Sequence, residues 1–267
     1  MKLMCPNCKR DWKDVGVEYK RKKSNGIDYA CKHCKSKRKP VCDPPVMGKR
    51  VLVIPDTHFP FAKKGYLTFL KKVYDDYNCD TVVHIGDLID NHYSSFHETD
   101  PDGMSSNEEL KASFLHVNEL ASVFPNMKLC LGNHCVIPAR KAFSSGISSK
   151  WIKTIKDVLV ENKCDVAGWE FSDSFIIDDV MYTHGSGRAV KNRMIQESTS
   201  VVQGHWHTRS SVEWLINDKC RLFAMQLGAL IDDSAYAFAY ARNFAKSFKN
   251  CGVVIEGKIP IIIPMEL

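Results

Sequence analysis

Two hydrophobic textures divide the chain, and the change falls near residue 50. Before it, apolar residues are scattered singly: Trp12, Val15, Val17, Tyr19 and Tyr29 stand among polar and basic neighbours, with Ser24-Asn25-Gly26 as a hairpin turn. That pattern predicts a small ribbon of short strands. From Arg50 onward, short apolar runs alternate with helical periodicity, as in a protein built on an α/β sheet. Val51-Leu52-Val53-Ile54 predicts a buried strand, and the spacing of Leu67, Leu70, Val73 and Tyr74 predicts a helix over 64–77. A strand is expected at 81–85, a long helix over 107–124 and a further strand at 127–131. The second half reads as strands and hairpins at 175–177, 180–183, 201–203, 212–216, 221–225, 251–255 and 259–263. The aromatic positions Phe238, Tyr240, Phe244 and Phe248 recur at roughly helical spacing and read as core. No internal repeat and no low-complexity segment interrupts this order.

Length and composition fit one sizeable core with a small appendage, since 267 residues carry 44% hydrophobic and 25% charged positions. Collagen-like, coiled-coil and wholly disordered chains are excluded. No run approaches the roughly 18 uninterrupted apolar residues of a membrane span, and the first residues, Met1-Lys2-Leu3-Met4-Cys5, lack a secretory apolar stretch. A cytoplasmic protein without membrane attachment is expected. Eleven cysteines are an odd count in a large chain, and four of them form two Cys-x-x-Cys pairs, which favours metal binding over a disulfide framework. The net charge of +6 hides an asymmetry: residues 1–50 hold 15 Lys/Arg against 5 Asp/Glu, while the remainder is mildly acidic. Basic attachments of this kind usually meet polyanions, nucleic acid first among them.

The two thiol pairs are Cys5, Cys8 and Cys31, Cys34. Each pair offers two tetrahedral ligands from one tight turn, so together they predict a structural zinc site whose metal supplies folding energy to a module too small for its own core. The expected organisation is a zinc ribbon at 1–41, a stiff linker at 42–49 containing Asp43-Pro44-Pro45, and a main domain at 50–267. Lys20, Arg21, Lys22 and Lys23 precede the ribbon turn, and Lys37 and Arg38 follow the second pair, as candidate nucleic-acid contacts. The alternative for this module is a purely structural knob or a docking site for a protein partner.

In the main domain, polar residues collect where predicted strands end. The run at 51–54 leads into Asp56-Thr57-His58, that at 81–85 into Gly86-Asp87-Leu88-Ile89-Asp90, and that at 127–131 into Gly132-Asn133-His134-Cys135. The later strands lead into His184-Gly185 and Gly204-His205-Trp206-His207. Five strand ends thus deliver carboxylate, imidazole and amide groups to one rim, the usual place for a site in such a fold. Mixed oxygen and nitrogen donors suit two divalent first-row cations, and seven candidate ligands exceed the needs of one.

The motifs DTH, GDLID, GNHC, THG and GHWH, in this order, resemble those of the calcineurin-like metallophosphoesterase superfamily over residues from about 50 to the end of the chain. The resemblance implies a two-sheet β-sandwich flanked by helices, an α/β (α+β) fold with a dinuclear centre at the strand ends. It implies that Asp56, His58 and His207 hold one metal, that Asn133, His184 and His205 hold the other, and that Asp87 bridges them. In-line attack of a metal-bridging hydroxide on phosphorus follows from it, with His134 as the general acid on the leaving oxygen. Cys135 stands where many members have Asp or Glu, so Asp90 is assigned to orient His134, against the alternative of a helix N-cap. Mn is the expected metal, with Fe, Zn, Ni or Mg also compatible. Protein-phosphatase relatives carry an arginine after this acid, whereas here Asn91, His92 and Tyr93 follow, which weakens that substrate class. Asn91 and His92 are candidate substrate contacts, and Arg188, after Gly185-Ser186-Gly187, is a candidate phosphate clamp or else a surface salt bridge.

The function expected is hydrolysis of phosphodiester bonds in nucleic acid by a nuclease, as a monomer or homodimer. The alternatives are a phosphomonoesterase, a hydrolase of small cyclic or dinucleotides, or a protein phosphatase, with the ribbon as a docking module. A third is an inactive binding scaffold, which predicts eroded ligands; here every expected ligand is present.

Overall fold

The computed structural model describes residues 48–95, 100, 102–235 and 246–266, together with the backbone of two strands between residues 17 and 31. The chain forms two compact units, residues 1–47 and 48–267. In the first, β1 (Val17–Lys23) and β2 (Gly26–Cys31) make an antiparallel hairpin with Tyr19 opposite Tyr29. Gly26 of the predicted turn opens β2, and Ser24 and Asn25 lie outside the described residues. The zinc-site thiols, the side chains of Lys20, Arg21, Lys22 and Lys23, and Lys37 and Arg38 all lie outside the described residues.

The second unit is built on two sheets. The first has six strands: β3 (Arg50–Ile54), β4 (Thr81–His84), β5 (Met127–Cys130) and β6 (Trp169–Ser172) run parallel, and β12 (Asn250–Ile255) with β13 (Ile259–Pro264) closes the other edge antiparallel. The second has five strands, ordered β10 (Ser211–Ile216), β11 (Arg221–Gln226), β9 (Ser200–Gln203), β8 (Val180–Thr183) and β7 (Ser174–Ile177). Its three inner strands are parallel.

The apolar runs that predict strands are continuous because both faces of the first sheet are covered. Alternate residues of β3 separate into two cores. Leu52 and Ile54 meet Leu70 and Val73 of α1 (Tyr66–Asp76) and Val117 and Leu120 of α2 (Ser106–Val123). Val51 and Val53 face the second sheet, where Tyr182, Val202, Phe223 and Met225 fill the space between sheets. Between β5 and β6 lie two short helices, α3 (Ile137–Ser144) and α4 (Ile155–Glu161). The outer face of the second sheet is covered by α5 (Val190–Glu197), whose Val190 and Met194 pack on Val201 and Ala224. The result is the expected two-sheet sandwich flanked by helices.

Helix starts follow local chemistry. Ser105 caps α2 and Thr154 caps α4, each in a reciprocal box with an acid three residues on, Glu108 and Asp157. Sequence patterning misses α3, α4 and β6, because α3 buries only Ile137 and Ala142 and α4 only Leu159, too little for a visible periodicity. Phe238, Tyr240 and Phe244 lie outside the described residues; residues 246–249 form no regular element, and Phe248 is 43% exposed rather than core. Among the described residues no helix is long and apolar enough to cross a membrane.

Leu70 joins α1 to the sheet and is fully buried. Leu70→Ala is expected to cost about 2–5 kcal/mol of unfolding free energy. A urea midpoint shift with an unchanged slope checks this.

Candidate metal centre

Parallel strands in both sheets end on the same side, and five of the loops leaving them interlock. The N–H groups of Thr57 and His58 donate to the carbonyl of Asp87 at 3.2 and 2.9 Å, fastening the first loop to the second. The N–H of His205 donates to Asp56 Oδ2 at 3.0 Å, fastening the first sheet's loop to the last. His134 N–H donates to Asp87 Oδ1 at 2.8 Å. Two glycines make these approaches possible: a Cβ on Gly132 would overlap Asp87 Oδ1, and one on Gly204 would overlap Asp56 Oδ1. His58, Asp87 and His205 have φ of 47°, 48° and 71°, the left-handed region that short polar residues tolerate best.

The donors that result form three overlapping groups, one of them His58, Asp87 and His134. Asp56, His58 and His207 offer atoms within one cluster, with His207 Nε2 3.1 Å from both Asp56 Oδ2 and His58 Nε2. Asp87, His184 and His205 form another, and Asn133 Oδ1 lies 2.8 Å from both His184 Nε2 and His205 Nδ1. Asp87 Oδ2 stands between them, 3.7 Å from His58 Nε2 and 3.2 Å from His184 Nε2. All seven residues expected from the sequence therefore converge.

Tautomers are set from behind. His58 Nδ1 bonds the Asp90 carboxylate at 2.6 Å, and His184 Nδ1 donates to the carbonyl of Ile85 at 3.1 Å, so each ring turns Nε2 into the cluster. His184 Nε2 there meets an amide oxygen, a carboxylate oxygen and another imidazole nitrogen at 2.8–3.2 Å. Such a convergence of acceptors requires a proton or a cation among them. Asp56 and Asp87 are fully buried, and among the described residues their ion-pair partners are imidazoles alone. Burial opposes their ionisation, yet His184 and the other rings hold both carboxyls well below the usual range. Burial likewise opposes a charge on His184, but Asp87 and Asp56 raise it well above the ordinary imidazole value. Asp56 Oδ1 is buried without a hydrogen-bond partner. Buried anions, an orphaned oxygen and nitrogens aimed at one another fit divalent cations, and the mixed O/N set suits first-row metals.

The sequence signature of calcineurin-like phosphoesterases spans residues 49–231. The chain belongs to that family. Solved structures similar to this phosphoesterase include the Pseudomonas putida nuclease MPE, at 10% identity over 80% of this chain and 86% of that one, TM-score 0.38. The E. coli phosphoesterase Yfce matches at 12% over 76% and 87%, TM-score 0.37, and vacuolar protein sorting 29 from Cryptosporidium parvum at 11% over 83% and 100%, TM-score 0.38. No curated protein matches the sequence.

Around the centre of this phosphoesterase, several expected roles take a different form. Asp90 was expected to present its carboxylate to His134; the carboxylate instead bonds His58, and it is the Asp90 carbonyl that accepts from His134 Nδ1, with Oδ1 at 3.4 Å. Asn91 donates from its side chain to the carbonyl of His134 at 2.9 Å, a brace on the loop. His92, expected at a substrate, is buried: its N–H donates to Glu109 at 2.8 Å, and its Nε2 accepts from the N–H of Asp100 at 3.4 Å. A ring so enclosed supports the loop from below. Arg188 is exposed on the turn before α5, with its carbonyl held by Gln203. Cys135 is buried and its thiol is raised by that burial, as a filler would be.

Two supports escape sequence reasoning. His84 is buried at the end of β4; its Nδ1 accepts from Gly86 N–H and its Nε2 bonds Thr57, which donates to the carbonyl of Leu88. Burial pushes its imidazole down to about 3, so it serves as a neutral relay between loops. Glu109 is the second, and its signal was available: it shares the buried face of α2 with Ser113, Val117 and Leu120, an acid on an apolar stripe.

Burial pushes the Glu109 carboxyl up to about 7, against the N–H bonds from His92 and Tyr93 and with help from the charge of Asp90. A carboxyl raised above its usual 4.5 favours the folded state most below that value and loses the advantage as pH rises through about 7. Glu109→Gln removes this titration. The stability difference between native and variant proteins, from urea midpoints across that window, is expected to shrink for the native protein as pH rises; parallel curves would contradict it.

Proposed function

We propose that this protein is a two-metal phosphodiesterase that cleaves nucleic acid. The observation that carries the reading is the position of Asp87 Oδ2 between two sets of donors. Asp56, His58 and His207 would hold one divalent ion, Asn133, His184 and His205 the other, with Asp87 shared and Mn the proposed metal. Bound there, such ions supply the Lewis acidity that ionises water near neutral pH and neutralises charge on a phosphoryl group.

The protein's own part is orientation and proton transfer. His134 is half-buried, its Nδ1 tied to the Asp90 carbonyl, which leaves Nε2 as the nitrogen facing outward. Burial disfavours its charged form, but Asp87 and Asp90 together raise it above the ordinary imidazole value. Its Nε2 is therefore placed to give a proton to the leaving oxygen as the P–O bond breaks, the part of a general acid. The basic first 50 residues and the absence of an arginine after Asp90 support nucleic acid over a phosphoprotein. The full set of seven donors speaks against an inactive scaffold.

Turnover with Mn on bis-p-nitrophenyl phosphate, p-nitrophenyl phosphate and single- and double-stranded DNA tests the proposal. Cleavage of the diester and DNA with little monoester hydrolysis is expected; monoester turnover without DNA cleavage would replace this reading with a phosphomonoesterase. Asp87→Asn is expected to lose metal by elemental analysis together with activity. His134→Ala is expected to keep metal and lose roughly 10²–10⁴-fold on alkyl diesters, whose leaving groups need the proton. Unchanged turnover of such a diester would remove His134 from the acid role.

A further inference from the structure

The chain immediately after His134 has a composition unlike the rest of the main domain. Residues 137–156 carry Arg140, Lys141, Lys150, Lys153 and Lys156 and no Asp or Glu, in a domain that is otherwise acidic. The same stretch holds the two most exposed aromatic side chains among the described residues, Phe143 at 83% and Trp151 at 84%, with Ile147 at 47% between them. These are not core residues out of place. The helix α3 satisfies its inward face with Ile137 and Ala142, and Ile152 and Ile155 line an apolar cavity of about 380 Å³ with Leu131 and Phe171. Phe143 and Trp151 remain outside, beside the cations.

We propose that residues 137–156 form the surface that grips single-stranded nucleic acid next to the metal centre. The inference rests on the phosphodiesterase reading and specifies its substrate. Stacking planes interleaved with positive charge are the means by which proteins hold unpaired bases and their backbone without reading sequence. Arg140, Lys141, Lys150, Lys153 and Lys156 all present exposed charge along this surface, Lys153 beside Glu161 and Lys156 over Phe171. Position favours a strand over a membrane surface. The helix begins three residues after His134, and Ile137 N–H donates back to the His134 carbonyl at 3.4 Å, so a strand lying along the segment continues into the site. Phe143 is six residues into the helix, about 9 Å along its axis, a distance of a few nucleotides at most. Membrane-surface helices, by contrast, are continuous amphipathic faces, whereas this segment is an eight-residue helix followed by turns.

The test is fluorescence anisotropy of a labelled oligothymidine 12-mer on the full chain in EDTA, so that binding is read without turnover. Phe143→Ala/Trp151→Ala is expected to weaken binding roughly tenfold or more. Lys141→Gln/Lys150→Gln is expected to lower the slope of log affinity against log salt by about 0.7 per cation removed. Both variants are expected to keep native turnover of bis-p-nitrophenyl phosphate, which is too small to reach the segment. Oligonucleotide affinity unchanged within twofold in both variants would overturn the proposal while leaving the diesterase chemistry standing. So would loss of binding to phosphatidylserine vesicles, or a change from dimer to monomer on gel filtration, with oligonucleotide binding intact. If the native protein hydrolyses no diester, the phosphodiesterase reading fails on its own, and the anisotropy result still decides whether this surface binds a strand.

Discussion

Two carboxylates with no lysine or arginine paired to them among the described residues, Asp56 and Asp87, lie fully buried where the sheets meet. Everything around them is arranged to make that burial tolerable. Asp87 spends one oxygen on a backbone N–H and keeps the other for the imidazoles, whereas Asp56 takes both His205 N–H and His207 on Oδ2 and leaves Oδ1 without a hydrogen bond. Removing such anions from water costs several kcal/mol each unless a compensating charge is near. Imidazoles alone meet that cost only by taking up protons, and Asp87 and Asp56 accordingly raise His184 well above the ordinary imidazole value against the opposing effect of its burial. The donor geometry and the charge deficit are one fact seen twice.

Fold and site are coupled through strand direction. Because β3, β4 and β5 run parallel in one sheet and β8 and β9 in the other, their following loops emerge together. Two of these loops place a glycine where another loop's carboxylate crosses, Gly132 against Asp87 and Gly204 against Asp56. The left-handed backbone at His58, Asp87 and His205 is sustained because each is fixed on both sides, by a strand behind and by a neighbouring loop's hydrogen bond ahead.

Legibility in the sequence tracks how local the cause is. Strands buried on two faces announce themselves as apolar runs, and the loops after them stand out because Asp, His and Asn follow such runs directly. The helices between β5 and β6 are illegible because each buries one or two residues and leaves the rest to solvent. The partner of Asp90 is illegible for another reason. Carboxylate and carbonyl of one residue serve two histidines, and the division depends on the turn at Asn91, φ 54°, which nothing in the spacing reveals. His92 looks like a loop histidine, and the acid that holds its backbone inside, Glu109, lies 17 positions later in another element.

The interleaving of the two sheets has a consequence for how the polypeptide reaches its native state. β3 pairs with β4 from one side and with β12, two hundred residues later, from the other. Asp56 and His207, 151 positions apart, touch only when both sheets have closed. Such high contact order places the domain among slow folders. A chain still leaving the ribosome has its early carboxylates but lacks the late imidazoles, so the completed cluster marks the last stage of assembly rather than a nucleus for it.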